Sequence, residues 1–343
     1  ILVLIFALFN IYFYRRILHF FTSSKQIKNI ALSIVIFWEL GFAALFFSAS
    51  FWEIRPVFAS VLGFLLFTFV FGATLEAAKV APWFGRTKYL LLGIFVCLFG
   101  YSFYVGSLPP TIKYINIKVD DRRLNGITLA VATDIHLDPS KKEFATSIVS
   151  QINNLNADMV LIVGDLFDGK MTDLEGAAAP LSELKSRYGV FFAPGNHEYY
   201  YGDFDAKMDY LRSIGINTLI NQNANVIDIS IVGVADLAAV RAAAEGPNPQ
   251  KAFANTKKPT ILLAHQPKTA KDALFYSPDI VFCGHTHNGQ IWPFNYLVSL
   301  AQPFVYGEYR ENTSQIIVTS GAGLWGPPMR LFSRSEILAV RFF

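Results

Sequence analysis

The sequence predicts an α/β domain carried behind a bundle of about four transmembrane helices. Three observations point there. Charged residues are sparse before Pro109 and ordinary after it, four apolar stretches of membrane-spanning length precede Pro109, and short β-rich runs alternate with helical stretches from Thr111 onward. The expected division is a transmembrane anchor over residues 1–110 and the α/β domain over residues 111–343.

The apolar stretches run roughly from Ile1 to Phe21, interrupted at Arg15 and Arg16, then Ile30 to Trp52, Val57 to Ala78 and Tyr89 to Leu108. Each approaches the ~20 residues a helix needs to cross hydrocarbon. Four helices apolar on every face are hard to surround with protein in a chain of 343 residues, and a bilayer removes the difficulty. Arg15, Arg16, Lys25 and Lys28 follow the first stretch, Lys79, Arg86 and Lys88 precede the fourth, and Glu53 and Arg55 lie between the second and third. The positive-inside rule puts the two basic loops in the cytoplasm, and the Glu53 loop and everything after Leu108 outside it. The expectation is therefore an integral protein of the cytoplasmic (inner) membrane with its catalytic domain on the extracytoplasmic side. Glu39 is expected to be protonated or hydrogen-bonded to a neighbouring helix, and Glu76 to pair with Lys79. Four short-looped helices without paired buried charges read as an anchor rather than a transporter. The first residue is Ile1 and not Met, so further residues are expected before it.

Up to Pro110 there are eight Lys and Arg against three Asp and Glu; beyond it there are 21 against 23. The second region has no basic stripe, so nucleic-acid binding is not predicted. The two cysteines, Cys97 in an apolar stretch and Cys283 at the end of an apolar run, read as separate thiols rather than a disulfide.

Strands are predicted at 112–119, 127–133, 159–163, 190–193, 229–235, 260–264, 280–283 and 315–319, with helices at 144–155, 177–187 and 204–214. Five of the six histidines follow these strands, where the loops of an α/β sheet form its ligand crevice. The loops read Asp134-Ile135-His136, Gly164-Asp165-Leu166, Gly195-Asn196-His197-Glu198, His265 and Gly284-His285-Thr286-His287. Each offers a nitrogen or oxygen ligand suited to first-row divalent ions, and a carboxylate among them can bridge two ions. One histidine after a strand is usually structural; five in register make a metal site. Gly164, Gly195 and Gly284 permit the turns that draw the ligands together.

The series DIH, GDLFD, GNHE, AH and GHTH, spanning Asp134 to His287, resembles the five-motif signature of calcineurin-like metallophosphoesterases. GHTHNGQ at 284–290 and GLWGPPMRLFSRSEI at 323–337 are similar to a membrane-associated bacterial subgroup of that family. The resemblance implies a four-layer α/β/β/α sandwich built on two mixed sheets. It also implies one metal held by Asp134, His136 and His287, and a second held by Asn196, His265 and His285, with Asp165 bridging. The family counterpart of His197 protonates the leaving oxygen. Asp138 stands where many relatives have Gly and is expected to face solvent.

Two adjacent metals lower the pKa of a shared water and offset charge on phosphoryl oxygens, so the expected nucleophile is a metal-bridging hydroxide. The expected activity is hydrolysis of a phosphodiester or pyrophosphate bond, in a lipid or lipid-linked substrate because the anchor confines the site to the membrane surface. A broad phosphomonoesterase and a metal-stabilised membrane scaffold are the alternatives. Mn, Fe and Zn all suit the ligands. Asp168 is expected to orient other groups rather than ligate, Glu198 to be structural, and Asp236 to cap a following helix. Arg330 reads equally as a phosphate contact or a structural residue, and Tyr199–Tyr201 as groove lining or a surface cluster.

Overall fold

The structure, a computed structural model, describes residues 2–46, 55–81, 84–119 and 121–343. It divides into two compact units: residues 1–107 with 326–331, and residues 108–325 with 332–343.

In the first unit, helix Leu2–Tyr12 passes through a π-helical turn, Phe13–Ile17, into Leu18–Phe21, so Arg15 and Arg16 widen the helix without breaking it. Helices Lys25–Phe46, Arg55–Ala78 and Phe84–Ser107 follow. Each of the four contains an apolar window of 18 to 23 residues, enough to cross a membrane. Asn10 Nδ2 donates to Glu39 Oε2 at 2.7 Å, which gives that carboxyl the interhelical partner expected of it. Glu76 pairs with Lys79 and lies 3.8 Å from Arg16. The Glu53 loop and the side chains of Arg55 and Arg86, used above to orient the spans, lie outside the described residues. Segment 326–331 belongs to this unit, and the Arg330 backbone N–H donates to Ser102 O at 2.8 Å.

Among the described residues the second unit holds twelve strands: β1 (Thr111–Ile117), β2 (Thr128–Ala132), β3 (Met159–Val163), β4 (Val190–Ala193), β5 (Ile216–Thr218), β6 (Gln222–Val226), β7 (Ile229–Gly233), β8 (Thr260–Leu263), β9 (Ile280–Cys283), β10 (Gly307–Glu311), β11 (Ser314–Val318) and β12 (Glu336–Phe342). They form two six-stranded mixed sheets, ordered β1-β12-β2-β3-β4-β5 and β10-β11-β9-β8-β7-β6. In the first sheet only β12 and β2 pair antiparallel; in the second, the outer pairs β10/β11 and β6/β7 do.

Period-two alternation sorts the strand side chains into layers. Leu129, Val131, Leu161, Val163 and Phe191 meet Ile231, Ile261, Leu263 and Phe282 between the sheets. Ala130, Ala132, Val160, Ile162 and Phe192 face the opposite way, onto Ala145, Ile148, Val149 and Ile152 of helix Lys142–Asn154. Val232, Leu262 and Val281 pack on Ala270 and Ala273 of helix Pro267–Ala273. Helix, sheet, sheet and helix make the four expected layers, and because both faces of each sheet are covered, the central strands read as continuous apolar runs.

The helix expected at 177–187 is corrected. Helix Met171–Ala178 gives way to a 3₁₀ turn, Ala179–Glu183. Pro180 has no N–H, so it cannot donate the next i→i−4 bond that would continue the α-helix. Asp138 is also corrected: it is buried, its Oδ1 accepts from Ser140 N at 2.9 Å, and its Oδ2 lies 3.3 Å from Lys141 Nζ. Closing its own turn and pairing with Lys141 removes it from solvent.

Candidate metal centre

All the expected ligands follow the carboxyl ends of strands: Asp134 and His136 after β2, Asp165 after β3, Asn196 after β4, His265 after β8, and His285 and His287 after β9. Asp134, His136, Asp165, His285 and His287 have φ between 49° and 69°. Left-handed backbone is costly for non-glycine residues and persists where the surroundings enforce it, commonly at functional sites. The loops can approach because glycine lines them. A Cβ on Gly164, itself at φ 77°, would lie 2.6 Å from Gly195 N and from His265 Nδ1. One on Gly284 would meet the Thr133 and Asp134 side chains.

The ligand atoms converge in two groups that share a wall. Asp134, His136 and His287 bring one atom each to within 4.8 Å of one another, as do Asp165, His265 and His285. A third overlapping group, His136, Asp165 and His197, lies at the junction. His136 Nε2 and His287 Nε2 are 3.1 Å apart, and His287 Nε2 is 3.2 Å from Asp134 Oδ1. His265 Nδ1 lies 2.8 Å from Val163 O, so it donates there, and its Nε2 is turned to within 3.1 Å of Asp165 Oδ2. His136 Nδ1 lies 3.0 Å from Asp168 Oδ1, which leaves Nε2 as the free lone pair. Fixing one ring nitrogen of a histidine so that the other presents its lone pair is the usual arrangement around a ligated metal.

The donor set fits divalent cations on its own evidence. Asn196 Oδ1 is buried and has no hydrogen-bond partner among the described residues. Buried polar atoms are nearly always satisfied, and this one belongs to a residue expected to ligate. Electrostatics agree. Burial alone would raise the Asp134 and Asp165 carboxyls, but His287 beside the first and His265 beside the second hold both well below the usual carboxylate range. Burial, with His265 nearby, pushes His285 down to about 4, which keeps the ring neutral and able to ligate. His265 is raised: burial opposes its protonation, but Asp165 and Asp134 outweigh it.

Around the ligands, Glu198 is fully buried and accepts N–H bonds from Asp165 and Gly195 through Oε2 (3.0 and 2.7 Å) and from Leu166 and Phe167 through Oε1 (2.9 and 3.1 Å). Its structural assignment understated its reach, since it ties the β3 loop to the β4 loop. Lys207 Nζ, also buried, holds the Glu198 carbonyl at 3.1 Å and pairs with Asp203 at 3.1 Å. Neither Lys207 nor Asp203 was visible as a site residue, because their contacts arise from tertiary packing. Asp168 Oδ1 accepts from His197 Nδ1 at 2.5 Å as well as from His136. Burial disfavours the His197 cation, but Asp168 and Asp165 push its pKa up to about 9. The His197 ring stands 4.6 Å from His136 and 5.0 Å from Tyr200, which is 58% exposed at the mouth of the site. Tyr199 is buried against Phe204 instead. Asp236 accepts from Ala238 N at 2.8 Å, closing the turn that leads into helix Ala238–Arg241, whose cap position is Leu237 and not Asp236 as expected; burial raises its carboxyl to about 6. Arg330 is wholly buried.

The pattern of the calcineurin-like phosphoesterase family matches residues 127–289. A metallophosphoesterase of Helicobacter pylori is 39% identical over 83% of this chain and 80% of its own length. A transmembrane protein with metallophosphoesterase domain from Danio rerio is 39% identical over 80% of this chain and 70% of its own. UDP-2,3-diacylglucosamine pyrophosphatase LpxG of Chlamydia muridarum is 26% identical over 64% of this chain and 84% of its own. The chain is a membrane protein and a hydrolase of phosphoesters, and it belongs to the calcineurin-like metallophosphoesterase family.

Proposed function

We propose that residues 111–343 hydrolyse a phosphodiester or pyrophosphate bond of a lipid or lipid-linked substrate at a two-cation centre, with residues 1–110 as the membrane anchor. The observation that carries this reading is two ligand groups, Asp134/His136/His287 and Asp165/His265/His285, linked by a third that contains both His136 and Asp165, with Asn196 Oδ1 buried and without a hydrogen-bond partner among the described residues. Asp134, His136 and His287 would hold one ion, Asn196, His265 and His285 the other, and Asp165 both. When bound, two divalent ions supply an activated water and offset charge on the phosphoryl oxygens.

The chain's own residues do the rest. Asp168 holds His197 Nδ1, so a proton on His197 sits at Nε2, 3.9 Å from Asp165 Oδ2. Asp168 beside the ring favours its protonated form, which can deliver that proton to the leaving oxygen. Tyr200, exposed beside that ring, is placed to contact the leaving group. The lipid part of the reading rests on the four spans and on the Chlamydia relative, whose name describes a pyrophosphatase of a diacylated substrate. The positive loops carrying Arg15, Arg16, Lys25, Lys28, Lys79 and Lys88 favour an extracytoplasmic domain in the inner membrane.

The test is hydrolysis by detergent-solubilised full-length protein of bis-p-nitrophenyl phosphate, p-nitrophenyl phosphate and a lipid pyrophosphate. Each is assayed after chelation, with single metals restored, and with Asp165→Asn. Metal-restored diester or pyrophosphate cleavage that vanishes in the variant supports the reading. Preference for the monoester would replace it with a phosphomonoesterase, and bound metal without cleavage would point to a scaffold.

A further inference from the structure

The second unit carries an apolar surface that the chemistry above does not use. Helix Phe294–Ala301 has the sequence Phe-Asn-Tyr-Leu-Val-Ser-Leu-Ala, with no charge and no buried residue. Tyr296, Leu297 and Leu300 are 63%, 55% and 84% exposed, and at spacings of three and four residues they share one helix face. Trp292, just before the helix, and Phe332 are exposed too, and their rings meet edge to face at 6.0 Å. A contiguous exposed patch of this kind marks an interaction surface.

We infer that this helix, with Trp292 and Phe332, lies in the interface of the bilayer the chain spans and brings the metal centre down onto substrates embedded in that leaflet. Chain connectivity favours lipid as the occupant. The last spanning helix ends at Ser107 and β1 begins at Thr111, so the intervening residues 108–110 extend at most about 10 Å. The chain leaves the second unit again at Trp325, and it returns at Phe332 itself after passing through the membrane unit over 326–331. A patch tethered this way meets the bilayer at an effective concentration that a soluble partner cannot match. Its composition agrees: Trp and Tyr favour the headgroup level, with leucines beneath them.

The patch is also joined to the site. Residues 288–293 connect His287 to the helix, and Gln290 fixes that connection by donating from Nε2 to Trp325 O at 2.8 Å and accepting from Trp325 N at 2.9 Å. Docking at the helix therefore sets the position of a proposed metal ligand relative to lipid headgroups. The inference deepens the proposed function and rests on it for the choice of substrate; the docking itself does not require turnover.

Full-length protein with Cys97→Ser and Leu300→Cys, labelled with an environment-sensitive fluorophore, is placed in phosphatidylcholine/phosphatidylglycerol nanodiscs with or without lipids bearing a shallow acyl nitroxide. Ile227→Cys, in the exposed turn between β6 and β7 at the end of the sheet opposite the ligand loops, is the control. Emission at 300 is expected to fall by about half with the nitroxide lipid while the control is unchanged. Equal behaviour at the two positions overturns the proposal. So does a shielded label at 300 that the nitroxide does not quench, because a protein or a second copy would then cover the helix. With Leu297→Asp/Leu300→Asp, hydrolysis of a phosphoester lipid in the same nanodiscs should drop about fivefold while that of bis-p-nitrophenyl phosphate holds. Equal rates on the lipid before and after substitution would count against the docking. Quenching without hydrolysis of either ester would keep the docking and remove the catalytic reading.

Discussion

At the scale of single residues, the centre depends on groups whose second atom is committed elsewhere. Asp168 is the clearest: one oxygen fixes both His136 and His197. His197→Ala should lower kcat by about 10²- to 10⁴-fold on esters with poor leaving groups and far less on nitrophenyl esters, which need no proton. Equal losses on both would remove the general-acid role. Asp168→Asn removes the largest charge holding the His197 proton, so in chelator-treated protein the His197 titration, followed by NMR, should move from about 9 down toward the ordinary value. The sign follows from linkage. A histidine raised in the folded state adds stability that is complete below its unfolded pKa and is lost as pH rises through about 9. The variant should therefore lose stability relative to wild type at neutral pH, and the difference should close above that value.

At the scale of elements, function sits in loops held by backbone contacts that strand pattern cannot show. Glu198, from the loop after β4, accepts four N–H bonds and so sets the loop after β3. Glu198→Gln would replace an acceptor-only group with one carrying donors and should cost about 2–4 kcal/mol, read from denaturant midpoints. Gly164→Ala would force a Cβ to 2.6 Å from Gly195 N in a left-handed conformation. Its expected signature is weaker metal binding by calorimetry together with a lower melting temperature, at a cost of about 1–3 kcal/mol. Gly176→Ala, at a helical position with open space, is the control and should leave metal binding unchanged without lowering the melting temperature.

At the scale of the whole molecule, metal and fold are linked. Cations that bind only the native state stabilise it by about 3 kcal/mol at a hundred times Kd, so chelation should lower the melting temperature and restored metal should raise it. His265 is held protonated when no cation is present, so a metal must displace that proton. Affinity should therefore rise with pH, and proton release on binding, measured calorimetrically in two buffers, checks it. In intact cells, a membrane-impermeant thiol reagent should reach a cysteine added after Phe343; protection there would place the domain in the cytoplasm.

The apolar helices of membrane-crossing length, the strands whose buried residues are continuous, and the candidate ligands after them were legible in the sequence, because each is a local pattern of polarity or spacing. The edge strands β5, β6 and β10 were not: β5 is only three residues long, and the residues of β6 and β10 are polar or half-exposed and pair only because a neighbouring strand is present. Strand β12 was not predicted either; it lies between β1 and β2, a placement fixed by pairing partners more than 200 residues away. Residue type alone determined which side chains are able to ligate a cation. Which atoms point at one another was decided by tertiary structure, because a ring nitrogen or carboxylate oxygen becomes available only when its other atom has been satisfied by a group from a different loop.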